Sequence, residues 1–185
     1  MLFAACCLGA KGYSDSRPIA ELRIGARDQG VVLKHGGGPG ECDALGARDV
    51  WVFQAGGKYL MHYDGAGPKG WLACLAMSED LVNWAKKGPV LELGAKGEED
   101  SASASYGLSY FDGEAWHLFY LGTPNTTAAP ERIPSFPYLT MKAKARSAEG
   151  PWVKQKDVVP FRPKAGTYYS ATASPGQVIK QGQSI

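Results

Sequence analysis

Asp43, Asp49 and Asp100 are the carboxylates whose setting in the sequence could do chemistry. Asp49 follows Arg48 at the head of an apolar run, Val50-Trp-Val-Phe53, while Asp43 and Asp100 close two matching segments, Gly40-Glu-Cys-Asp43 and Gly97-Glu-Glu-Asp100. Carboxyl groups gathered from separate loops can divide acid and base work, one held protonated and one ionised. A neighbouring cation favours the ionised form, so Arg48 suits Asp49 to a base or a charge stabiliser rather than an acid. The plain alternative for Asp49 is a turn residue that caps backbone N–H groups. For Asp43 and Asp100 it is the closing of one loop in two repeats, and Glu98 and Glu99 read as solvated loop charges. His35, His62 and His117 show no pairing at metal-site spacing, and the four cysteines contain no Cys-x-x-Cys, so no metal or cofactor is implied. Cys42 and Cys74 read as small buried thiols, with a disulfide as the alternative.

The elements that must position these groups form an internal repeat. Asp43 and Asp100, Gly56 and Gly113, and Tyr63 and Tyr120 are each 57 positions apart. In each unit an apolar run, a Gly-Gly or Asp-Gly turn and a second run spell a β-hairpin, because such turns need the positive φ that glycine adopts cheaply. Ala76-Met-Ser78 then leads to Trp84, and Ala145-Arg-Ser147 leads to Trp152. Ser78 and Ser147 are 69 apart, so the second unit has a longer link between its second and third strands. The extra residues fall in Thr123–Pro137, a Pro-rich excursion unsuited to a strand interior. Hairpin, third strand and Trp-bearing outer segment together make a four-stranded propeller blade. Gly30-Val-Val-Leu33 resembles an outer strand and Gly176–Gly182 the start of another hairpin. The expectation is an all-β chain holding about two complete blades of a five-bladed β-propeller plus partial flanking blades, a fragment truncated at its C-terminus.

Arg48-Asp49, Gly57-Lys-Tyr-Leu-Met-His-Tyr63 and Ser78-Glu-Asp-Leu-Val-Asn-Trp84 resemble the five-bladed propeller glycoside hydrolases and related phosphorylases, among them families 43, 32, 117 and 130. Ala145-x-Ser147-x-x-Gly150-Pro-Trp152 is similar to a blade ending found in family 43. Val50 stands where the family motif has proline. The resemblance implies a glycosidase acting on a plant or algal glycan, with inversion as in families 43 and 117 and retention as in family 32 left open. It makes Asp49, Asp100 and Asp43 the candidate catalytic carboxylates. It sets Arg48, His62, Trp71, Tyr106, Arg132 and Tyr138 as candidates for holding an oligosaccharide or polysaccharide, the aromatics by stacking on apolar sugar C–H surface. The excursion, through Arg132, Phe136 or Tyr138, is expected to shape the pocket. The family's Glu-Gly-Pro proton donor has no counterpart in Ala173-Ser174-Pro175-Gly176, so that acid lies elsewhere or beyond Ile185. Trp84 and Trp152, being repeated, read as packing residues. The rival reading is a non-catalytic carbohydrate-binding or interaction propeller.

Composition narrows the partners. Of 185 residues 44% are apolar and 21% charged, an ordinary globular balance, and the net charge of +2 comes without a basic run, which argues against nucleic acid. No segment has the length of a membrane-spanning helix. Residues 1–20 read as a remnant of an export signal and linker, with Phe3-Ala-Ala-Cys6 loosely like a lipid-attachment site, and residues 21–185 as the catalytic-type propeller domain. That start favours a secreted, periplasmic or lipid-anchored protein, with the cytoplasm as the alternative.

Overall fold

The computed structural model describes residues 30–129 and 133–179. The chain divides into two units, Met1–Gly30 and Val31–Ile185, and the fold below is that of the second. The export-signal segment lies outside the described residues. Among the described residues no helix is long and apolar enough to cross a membrane.

The described residues of the second unit hold eight strands: β1 (Gly46–Ala55), β2 (Lys58–Gly67), β3 (Gly70–Ser78), β4 (Ala85–Pro89), β5 (Ser103–Phe111), β6 (Trp116–Thr123), β7 (Leu139–Ala145) and β8 (Val153–Lys154). β1 to β4 pair antiparallel in sequence order, and so do β5 to β8. These are the two expected blades. A short parallel contact, Trp71 with Ser103 and Leu72 with Ala104, ties β3 of the first blade to β5 of the second.

The turns explain themselves chemically. Gly56 and Gly57 join β1 to β2 with φ of 58° and 77°, the double positive φ of a type I′ hairpin. Asp112 makes the second hairpin by accepting from the backbone N–H groups of Glu114 and Ala115, each at 2.8 Å. The Ser78–Trp84 motif closes the β3–β4 corner: Asp80 Oδ1 accepts from Asn83 N at 2.7 Å and Val82 N at 2.9 Å, and Trp84 Nε1 donates to Leu81 O at 3.0 Å. These donors hold the Asp80 carboxyl far below its usual range. Trp84 and Trp152 pack against one apolar core with Tyr63, Leu118 and Tyr120, as repeated residues should.

Each inner strand carries a bulge at the same place. Register breaks between Arg48 and Trp51 on β1 and between Ser105 and Leu108 on β5, and Asp49 (φ 48°) and Tyr106 (φ 56°) adopt the left-handed conformation there. Those two residues are again 57 apart. Gly65 and Gly122, likewise equivalent, permit close approach. A Cβ on Gly65 would run into the Cys42 carbonyl and the Cys74 sulfur, and one on Gly122 into Met141 Sδ and the Cβ of Asp100.

Two expectations are corrected. Cys42 and Cys74 are joined as a disulfide, with Cα atoms 6.6 Å apart, because the loop before β1 folds back onto β3. Gly30–Leu33 and the described residues 173–179 contain no strand, since an extended segment becomes a strand only where a neighbour pairs with it; Leu33 nevertheless packs against the core. The excursion after β6 is a small lobe of its own. Thr126 bridges Pro134, Thr127 N donates to Ile133 O at 2.8 Å, and Ser135 N donates to Asn125 O at 3.0 Å.

Candidate active site

The bulge on β1 lifts Asp49 out of the hydrogen-bonded ladder. An extra residue in one strand frees its side chain to be re-aimed, which is how bulges serve functional sites, and aspartate tolerates the left-handed backbone better than most residues. Arg48 and Asp49 are both exposed, with Arg48 Nε 3.3 Å from Asp49 Oδ2. The guanidinium carbon of Arg48 also lies 4.1 Å from the ring centroid of Trp71 at the start of β3, a cation–π contact.

Beneath them lies a carboxyl that sequence reading missed. Asp64, on β2, is opposite Arg48 in the ladder, and its Oδ2 is 3.7 Å from the same Nε. Only 3% of its side chain is exposed. Its Oδ1 accepts the backbone N–H of Tyr106, the group released from the ladder by the bulge on β5. Burial pushes the Asp64 carboxyl up to about 7; the Tyr106 N–H and Arg48 oppose that rise, and Asp49 adds to it. The Tyr106 phenol is raised by burial and by Asp49 and Asp64. Tyr138 is raised by burial and by Asp64 against Arg48, and its hydroxyl donates to Pro134 O at 2.8 Å. Arg48, Asp49, Trp71, Tyr106 and Tyr138, named separately from the sequence, thus meet around Asp64.

A signal for Asp64 was present. Tyr63-Asp64-Gly65 corresponds to Tyr120-Leu121-Gly122 in the second unit, and Arg48-Asp49 to Ser105-Tyr106. Structural residues recur at the repeat interval, whereas the charged cluster occurs once. A buried acid where the repeat places leucine is costly unless its partners repay it.

Trp71 links the cluster to a cleft of about 580 Å³ lined by Ala66–Gly70, Ser101, Ala102 and, from the excursion, Thr126, Ile133 and Pro134. That volume is in the range of small-ligand sites, roughly 300–1,000 Å³. A separate depression by Ser78, Asp80 and Asn83 lies at the β3–β4 corner, where Asp80 is already engaged by backbone donors.

The other sequence candidates are placed differently. Asp43 is fully buried; Tyr63 Oη donates to it at 3.1 Å, Gly36 N at 3.2 Å, and Lys86 Nζ pairs with it. Asp100 repeats the arrangement, with Tyr120 Oη at 2.9 Å and Lys154 Nζ. In both Asp–Tyr–Lys sets the carboxylate is buried, at 0% and 3% side-chain exposure for Asp43 and Asp100. His62 is wholly buried, with none of its surface exposed. Its Nδ1 is 2.9 Å from Ser109 Oγ, its ring packs on Phe53 and Trp152, and burial lowers it to about 3. Glu98 pairs with Lys156, and Glu99 with Arg162 at 2.6 Å. Arg132 lies outside the described residues.

No protein-family model matches the chain, and no curated protein matches its sequence. Solved structures do resemble it. Zg3597, a family 117 glycoside hydrolase produced by the marine bacterium Zobellia galactanivorans, is 18% identical with a TM-score of 0.59, over 77% of this chain and 47% of that one. A presumptive glycoside hydrolase from Parabacteroides distasonis is 16% identical with a TM-score of 0.53, over 79% of this chain and 43% of that one. The chain therefore spans under half the length of either. At these identities the likeness establishes the fold, a part of the β-propeller that these glycoside hydrolases have.

Proposed function

We propose that this chain carries the substrate-facing carboxylate of a propeller glycosidase that cleaves a plant or algal oligosaccharide or polysaccharide with inversion. The observation that carries the reading is the bulge-borne Asp49, exposed, paired to Arg48 and set beside Trp71. In this role Asp49 takes a proton from water as the water oxygen bonds to the anomeric carbon and the glycosidic bond breaks, while a separate acid protonates the leaving oxygen. Arg48 holds Asp49 in place and donates to sugar hydroxyls. Trp71 and Tyr106 offer ring faces to the sugar, and the excursion lobe, with Tyr138 at its end, forms one wall of the adjoining cleft. Asp43 and Asp100 serve the blades rather than the reaction, each neutralised within its own buried set.

A binding-only propeller would use the same aromatics without the carboxylate. A panel of aryl-glycosides and oligosaccharides separates the two: hydrolysis of any member that disappears in Asp49→Asn supports the glycosidase. Sugar binding without turnover, unaltered by that substitution, supports the binding module.

A further inference from the structure

Hydrolysis through Asp49 leaves the buried carboxyl of Asp64 without a task. Its surroundings are specific. From β1 it faces the Arg48 guanidinium and the Asp49 carboxylate, from β5 the Tyr106 backbone N–H, the Tyr106 phenol and the Ser105 hydroxyl, and from the segment before β7 the Tyr138 phenol. Its neighbour across the ladder on β3, Ala73, is apolar. Arg48 is the only cation that meets it among the described residues.

One Nε therefore serves two carboxylates, an exposed one at 3.3 Å and a buried one at 3.7 Å. The two oxygens can be no further apart than those distances together, so their charges interact directly. When the buried carboxyl carries a proton it makes no claim on the cation. When that proton leaves to solvent, a full charge is stranded at low dielectric, where its attraction for a guanidinium is much stronger than at the surface. Arg48 must then be shared. Burial makes the Asp64 carboxyl hold its proton more tightly than a carboxyl in water does.

We propose that Asp64 is a positioning residue for the candidate active site: by holding or releasing its proton it decides whether Arg48 is committed to Asp49 and Trp71 or drawn inward. Protonated Asp64 leaves Arg48 fixing Asp49 in its bulge; ionised Asp64 loosens that hold. The inference rests on the reading of Asp49 and Arg48 as substrate-facing. It accounts for a buried acid at a position that the second blade fills with Leu121. A purely structural duty, accepting the Tyr106 N–H, would be met equally well by asparagine, whose carbonyl accepts the same bond.

That difference supplies the test. The full chain, labelled with ¹³C at aspartate carboxyls and ¹⁵N at arginine, is titrated by NMR. An Asp64 carboxyl step near pH 7 is expected, with the Arg48 Nε and Asp49 carboxyl resonances moving at the same midpoint. In Asp64→Asn the step vanishes from all of them while the fold persists. Arg48→Gln moves the Asp64 midpoint upward, since a cation has been removed, and Asp49→Asn moves it downward, since a like charge has. These two exposed substitutions keep the inference testable even if Asp64→Asn fails to fold. Absence of a step near 7, or an Arg48 step that survives Asp64→Asn, overturns it. The titration needs no turnover. In the full-length protein, the coupled step without hydrolysis of any glycoside refutes the glycosidase reading alone, and hydrolysis whose alkaline limb is unchanged in Asp64→Asn refutes the positioning role alone.

Discussion

Replacing Lys154 by methionine removes the cation from a buried ion pair at nearly constant volume. Asp100 is 3% exposed and Lys154 15%, and among the described residues Tyr120 is the other side chain that bonds the carboxylate. Stripping one partner from such a pair leaves an uncompensated buried charge and costs about 3–5 kcal/mol. For a domain of this size each kcal/mol is worth about 2–4 °C in melting temperature, so Lys154→Met should melt roughly 6–20 °C lower. Lys86→Met should lose a similar amount, because Asp43, Tyr63 and Lys86 repeat the geometry in the first blade. Lys154→Met combined with Asp100→Asn, which takes the stranded charge away, should recover part of the loss. Thermal melts of the three variants beside the unaltered protein make the measurement. Unchanged melting with lost sugar binding or turnover would refute the structural assignment of Asp100 and return it to the catalytic set.

Tyr120→Phe and Tyr63→Phe should each cost about 1–3 kcal/mol in chemical denaturation, since a buried carboxylate loses one donor in either blade. His62 is lowered to about 3 by burial, so the unfolded chain takes up its proton first as pH falls. Stability should fall from pH 6.5 toward 3, and His62→Gln should flatten that acid limb in melts. Trp71→Ala should weaken oligosaccharide binding by about 0.5–1.5 kcal/mol, or roughly 2- to 12-fold by calorimetry, with little change in melting.

The blades were legible because strands and turns leave periodic marks. The interval of 57 positions marked the hairpins, and the bulge pair and the buried Asp–Tyr bonds recur at the same interval in the structure; the repeated Trp84 and Trp152 read as packing residues on that ground alone. What the repeat cannot show is direction. Asp43 and Asp100 were recognisably equivalent, but only the arrival of Lys86 and Lys154 from strands far along the chain decides that they face inward. Leu60 to Gly65 of β2 are buried without alternation, so both faces of the strand are covered and the period of two does not mark an exposed face at His62. Asp64 lies inside β2 rather than at an inner-strand start, so position does not mark it, although its mismatch with Leu121 does. The Cys42–Cys74 bond depends on a loop folding across β3, which no spacing rule predicts.

The central claim is that Asp49 acts on substrate. The most direct measurement compares kcat and melting temperature for the full-length protein and Asp49→Asn on a glycoside identified from the panel. Loss of a general base costs about 10²–10⁴-fold in rate. The account predicts a fall of that size in kcat with a nearly unchanged melt, because an exposed carboxylate paired only to Arg48 contributes little to stability. A kcat that stays within a few-fold, or one that falls only in step with the melting temperature, would contradict it.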